Sequence, residues 1–160
     1  MEELAVNYLL PVFFAFLASG GFAVIYNIHG AGILICAFGG ALGWLAYLVS
    51  APILQSEISQ SFVAALVISA YAEWMARVRK CPATGYLLVA FFPLVPGGGI
   101  YYTMEYAING EISLFLSAFL QTLGIAGALA VGVLLVSSAV RMWGNYRHRR
   151  ALTRKREEGP

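Results

Sequence analysis

The chain has 160 residues, 60% of them hydrophobic and only 11% charged, with ten Lys or Arg, eight acidic residues and a formal charge of +2. Soluble domains carry about 25% charged residues. Here seven of the ten basic residues lie beyond Val140, so residues 1–140 hold nine charges between them. So little polar surface excludes a water-soluble enzyme, a disordered chain and a nucleic-acid binder, and leaves one membrane domain over residues 1–140 with a basic tail over residues 141–160.

A membrane helix needs about 20 mostly apolar residues to cross roughly 30 Å of hydrocarbon. Five stretches qualify, at about residues 4–26, 31–50, 58–76, 84–108 and 113–140. Barrel strands are about ten residues long and alternate apolar with polar, whereas these runs are continuous and longer. The predicted fold class is therefore all-α, a polytopic bundle of about five transmembrane helices within the lipid bilayer. The first run follows Glu2 and Glu3 rather than a basic leader and continues to Tyr26, which predicts an uncleaved span.

The second run carries small residues at four-residue spacing, with Gly32, Cys36 and Gly40 on one face and Gly39 and Gly43 on another. The third ends in Glu73 and Arg77, an i, i+4 pair that predicts a local salt bridge. Arg77, Arg79 and Lys80 follow it, and the other seven basic residues follow the fifth run. Two spans separate these clusters, so they share a side, and the positive-inside rule makes that side the cytoplasm. The amino terminus is then outside with Glu2, Glu3, Glu57 and Glu111, and the carboxyl terminus is inside. Trp44, Trp74 and Trp143 fit interfacial belts. Cys36 and Cys81 predict no disulfide.

The fourth run contains Phe92-Pro93-Leu94-Val95-Pro96-Gly97-Gly98-Gly99-Ile100-Tyr101-Tyr102. Proline removes a backbone hydrogen bond, and each Gly opposes helix by about 1 kcal/mol relative to Ala. Residues 84–92 rise roughly 14 Å at 1.5 Å per residue, which puts the break near the bilayer midplane. Irregular backbone at that depth is tolerated only inside protein or along a wet cavity, and broken helices are how carriers build midplane sites. A second half-helix starting near residues 98–100 presents unpaired N–H groups and the positive end of its dipole, a setting for a carboxylate or phosphate.

The candidate substrate site is accordingly Pro93, Pro96, Gly97, Gly98, Gly99 and Ile100, with Tyr101 and Tyr102 adding hydroxyl groups and Asn27, Glu105 and Gln121 completing the set. Plainer readings stand beside each. The Pro-Gly run is a packing kink, Asn27 a helix C-cap, Glu105 a residue of the outer interface, and Gln121 a partner in an interhelical hydrogen bond.

In the fifth run Gly124, Ala128 and Gly132 form another small-residue face. Such faces allow close helix packing, either within the chain or, in the sharper reading, against another subunit. No Ser/His or Cys/His pair lies within the spans, no Asp occurs, and no GxxxxGK[ST] loop or metal-spaced His/Cys cluster is present. The expectation is neither an enzyme nor a holder of a cofactor or metal.

Three segments, Gly21-Phe22-Ala23-Val24-Ile25-Tyr26-Asn27-Ile28, Phe38-Gly39-Gly40-Ala41-Leu42-Gly43-Trp44 and Phe92-Pro93-Leu94-Val95-Pro96-Gly97 with Tyr101, stand in an order that resembles the small subunit of the threonine/serine exporter (ThrE-like) family. The resemblance covers roughly residues 10–140. Where the family often has a hydroxyl residue after the Pro-Gly pair, this chain has Gly98. The resemblance implies a bacterial inner-membrane exporter of small carboxylate-bearing metabolites, threonine and serine or a dicarboxylate such as succinate. It also implies a larger membrane subunit as partner, for which a homo-oligomer is the substitute. The competing function is a non-transporting assembly subunit.

Overall fold

A computed structural model describes the backbone of residues 5–157 and the side chains of residues 6–144 and Tyr146. Glu2 and Glu3 lie outside the described residues, as do the side chains of the basic residues from Arg147 onward. The described residues form helices joined by short turns, without a strand. A π-helical turn (Ala5–Leu9) leads into α1 (Leu10–Ile25), followed by α2 (Ala31–Ser50) and α3 (Glu57–Arg79). Next come α4 (Ala83–Phe91), a 3-10 turn (Phe92–Leu94), α5 (Gly97–Ile108) and α6 (Ile112–Glu157). Four helices are long and apolar enough to cross a membrane, and α4 with α5 makes a fifth span bent by 54°.

Three of the turns share one termination chemistry. After α1, Asn27 takes φ 59° while its N–H donates to Val24 O and the Ile28 N–H donates to Ala23 O. After α3, Lys80 takes φ 54° with N–H bonds from Lys80 to Arg77 O and from Cys81 to Ala76 O. After α5, Gly110 takes φ 73° with bonds from Gly110 to Ala107 O and from Glu111 to Tyr106 O. Each is a left-handed cap that satisfies carbonyls otherwise stranded at a helix end. The cap on Lys80 also carries α3 to Arg79, beyond the expected end at residue 76.

The small-residue faces are consumed inside the chain. A Cβ on Gly40 would overlap the Ser19 side chain of α1, and one on Gly43 would overlap Ile68 of α3. On Gly39 it would stand 3.0 Å from the Ala90 Cβ of α4. Gly124 lies under Ile58, and a Cβ on Gly132 would be 2.6 Å from the Ala65 Cβ. The expectation that Gly132 serves a subunit interface is therefore corrected: its face is occupied by α3 of the same chain. The core these contacts enclose is thin, made of Ala64, Ala65, Ile68, Ala90, Leu94 and Leu129. Large apolar side chains such as Phe13, Leu34, Leu123 and Leu134 point outward instead, as they do when lipid is the solvent.

Glu57 meets Gln121, Ile58 meets Gly124 and Ala65 meets Gly132, so α3 and α6 run in the same direction. The bent pair between them must then carry the chain from one end of the bundle to the other, which makes it an interrupted crossing rather than a re-entrant loop. Arg77, Lys80 and Arg141 accordingly line one shared cleft at one end. Glu73 faces the same cleft, but it forms no ion pair with Arg77 among the described residues, contrary to the expected salt bridge. Exposed pairs of long side chains gain little from association. The last helix has a candidate span of 33 residues from Ile112 to Gly144, about 50 Å of rise, and it continues unbroken through the basic segment.

Because α3 covers Gly132 while Gly127 has nothing within 4 Å, the two positions predict opposite outcomes. Gly132→Val should destabilise the isolated chain by about 1–3 kcal/mol through overpacking. Gly127→Val should change stability by less than about 0.5 kcal/mol. Unfolding of the purified chain in detergent, followed by circular dichroism, measures both.

Candidate functional site

The helix break owes its geometry to the second proline. Pro93 sits in the first turn of the 3-10 segment, where its missing N–H interrupts nothing. Val95, which precedes Pro96, is extended at φ −63° and ψ 127°, the conformation a following proline enforces. Pro96 then caps α5. The break is held by aromatic packing: Phe92 stacks on Phe22 of α1 with centroids 3.8 Å apart, and Tyr26 lies 5.7 Å from the same ring. The N-terminal Gly-Phe segment and the Pro-Gly segment, far apart in sequence, thus meet in space.

The second half-helix, expected to start near residues 98–100, starts one residue earlier. Helix α5 begins at Gly97, and the three glycines form its first turn. The Gly97 N–H donates to Val95 O at 2.7 Å, and the Ile100 N–H donates to Pro96 O at 3.0 Å. Ile100 is therefore not a free donor, because it is the first residue able to reach back to the cap carbonyl. Gly98 and Gly99 remain, with no backbone partner for either N–H among the described residues. Gly99 has to be glycine for packing, since a Cβ there would stand 2.5 Å from Thr122 Oγ1. Gly98 has open space within 4 Å.

That open space is a cavity of about 510 Å³ between the break, α2, α3, α5 and α6. Known small-molecule sites span roughly 300–1,000 Å³. Pro93, Pro96, Gly98, Gly99, Tyr102 and Gln121 of the candidate set all line it. The remaining candidates do not. Gly97, Ile100, Tyr101 and Glu105 lie off the α5 face that carries Gly98, Tyr102 and Tyr106. Glu105 is exposed. Asn27 is an exposed cap residue in the turn between α1 and α2, and it contributes its backbone conformation rather than a side chain to the cavity.

Several lining residues had no place in the sequence-derived site. Trp44 and Tyr47 of α2, stacked at 5.5 Å, form one wall. Trp44 is thus a cavity and core residue rather than part of an interfacial belt, and its buried Nε1 has no hydrogen-bond partner among the described residues. Tyr102 and Tyr106, stacked at 6.4 Å, form another wall. Their i, i+4 spacing was a legible signal for a common face. Ser61 is buried at the floor. Thr122 donates to Ala118 O of its own helix, which leaves its oxygen facing Gly99. At the exposed rim the Gln121 Nε2 donates to Glu57 Oε2 at 2.8 Å, joining α6 to the start of α3. That is the interhelical hydrogen bond foreseen for Gln121, made by a residue that also lines the site.

Among the described residues no three His, Cys, Asp or Glu side chains converge as a metal set. The cavity offers instead two backbone donors at a helix N-terminus, tyrosine side chains and one carboxylate, a set able to hold a small polar molecule by hydrogen bonds. The family model described as Threonine/Serine exporter, ThrE, matches residues 11–139. No curated protein and no solved structure matches the chain. The chain belongs to the threonine/serine exporter family and is a multi-pass membrane protein of a transporter type.

Proposed function

We propose that the chain is the small subunit of a secondary transporter that exports small carboxylate-bearing metabolites across a bacterial inner membrane. Threonine- and serine-like amino acids or dicarboxylates such as succinate are its substrates. It works with a larger membrane subunit of the same family, and residues 1–140 act as the membrane domain ahead of a basic cytoplasmic tail. The observation that carries this reading is the pair of N–H groups without a backbone partner on Gly98 and Gly99, two residues that line the cavity at the helix break. A half-buried helix N-terminus favours an anion by up to about 2 kcal/mol, and each N–H bond to a charged acceptor adds about 1.5–3 kcal/mol. That sum fits a carrier, which must release what it binds.

Gly98→Val is the direct test. A Cβ there meets nothing within 4 Å, so the variant should express and unfold like the parent while its side chain fills the approach to the donors. Threonine or succinate efflux from loaded vesicles should fall at least ten-fold, the loss expected from about 1.4 kcal/mol of binding. Unchanged efflux would move the substrate site away from the break.

The larger subunit is supported by the open rim at Glu57 and Gln121, which this chain does not close. Five spans are also half of a paired, inverted-repeat carrier. Liposomes holding both subunits should transport, and liposomes holding this chain alone should not; equal rates would favour a homo-oligomer. The proposed sidedness, amino terminus outside and carboxyl terminus inside, rests on the basic residues gathered at one end of the bundle. An impermeant thiol reagent should label a cysteine at residue 3 from outside and one at residue 155 only after permeabilisation.

A further inference from the structure

Glu57 is the one acidic or basic residue that lines the cavity. It is the first residue of α3, a position where a carboxylate is ordinarily explained by the helix dipole. Its surroundings go beyond that. Only Oε2 has a partner, the Gln121 Nε2, and Glu57 forms no ion pair among the described residues. The cations Arg77, Lys80 and Arg141 line a separate cleft at the other end of α3. The same cavity is lined by the stacked ring pairs Trp44–Tyr47 and Tyr102–Tyr106. Indole and phenol faces attract cations. The cavity is therefore bipolar: backbone donors for an anion at Gly98 and Gly99, a carboxylate and aromatic rings for a cation at the rim.

We propose that Glu57 is the specificity-determining residue of this cavity, receiving the ammonium group of an α-amino acid whose carboxylate lies on the N–H groups of Gly98 and Gly99. This rests on the carboxylate site proposed above and chooses between its two substrate classes. A zwitterion matches both poles. A dicarboxylate brings its second negative charge toward Glu57, where like charges repel.

The test measures equilibrium binding to the full chain with its larger subunit in nanodiscs. The probes are threonine, the hydroxy-acid analogue in which a hydroxyl replaces the ammonium group, and succinate. The parent should bind threonine about ten-fold or more tightly than either of the other two, the difference a single charge-assisted contact supplies. Glu57→Gln keeps the size and hydrogen-bonding capacity of the side chain. It should weaken threonine binding by about the same factor, leave the hydroxy acid unchanged and erase the preference. Glu57→Asp should restore part of the preference, which a purely structural role would not do. A Glu57→Gln protein that still prefers threonine over the hydroxy acid would overturn the assignment, as would a parent that prefers succinate. In both cases the carboxylate site at the break would survive. If Gly98→Val binds every probe as the parent does, the carboxylate site fails and the assignment of Glu57 falls with it.

Discussion

An opened helix cannot face lipid, because each unsatisfied backbone group in hydrocarbon carries a penalty of several kcal/mol. The interruption at Val95–Pro96 therefore has to be enclosed by protein, and the arrangement of the bundle follows from that requirement. Phe92 is pinned by Phe22 and Tyr26 of α1, and Leu94 is buried in the core between α2, α3 and α6. The break itself, from Pro93 to Pro96, lines the cavity together with Gly98 and Gly99.

Enclosing the break with so few helices demands close approach. The glycines of α2 and α6 provide it, since Ser19, Ile68, Ile58 and Ala65 all occupy space that a Cβ would fill. With little hydrophobic drive between helices in a bilayer, such close contacts and a few interhelical hydrogen bonds hold the bundle. Tyr71 Oη to Ile35 O at 3.1 Å ties α3 to α2, and Gln121 to Glu57 at 2.8 Å ties α6 to α3. Tight packing on one side of the bundle and an open rim on the other are consistent with a chain whose cavity is completed by something else.

The glycine run has two separate purposes. Gly99 is needed because α6 passes directly beside it at Thr122, whereas Gly98 leaves room in the cavity. The two residues look identical in the sequence, yet one serves packing and the other access. The same division separates the aromatic residues of α5: Tyr102 lines the cavity and its neighbour Tyr101 does not.

What the amino-acid sequence determined by itself was the local physics. Long apolar runs demand helices in a membrane, Pro96 forbids a continuous fourth helix, and the two spans between the Lys and Arg clusters bring those clusters to one end of the bundle. Six of the eleven candidate site residues reach the cavity because they sit at the break or one helical turn from it, or because a polar residue in an apolar span, such as Gln121, seeks a partner. Only the tertiary structure decided the rest. Glu57 reads in sequence as the polar start of a helix after a loop, and Trp44 as a belt residue. They meet at the cavity through the register of α3 against α6 and of α2 against the break. That register is set by interlocking shapes between residues twenty-five or more positions apart, such as Ile68 over Gly43 and Ala65 over Gly132, and hydrophobic periodicity along one chain segment carries no information about it.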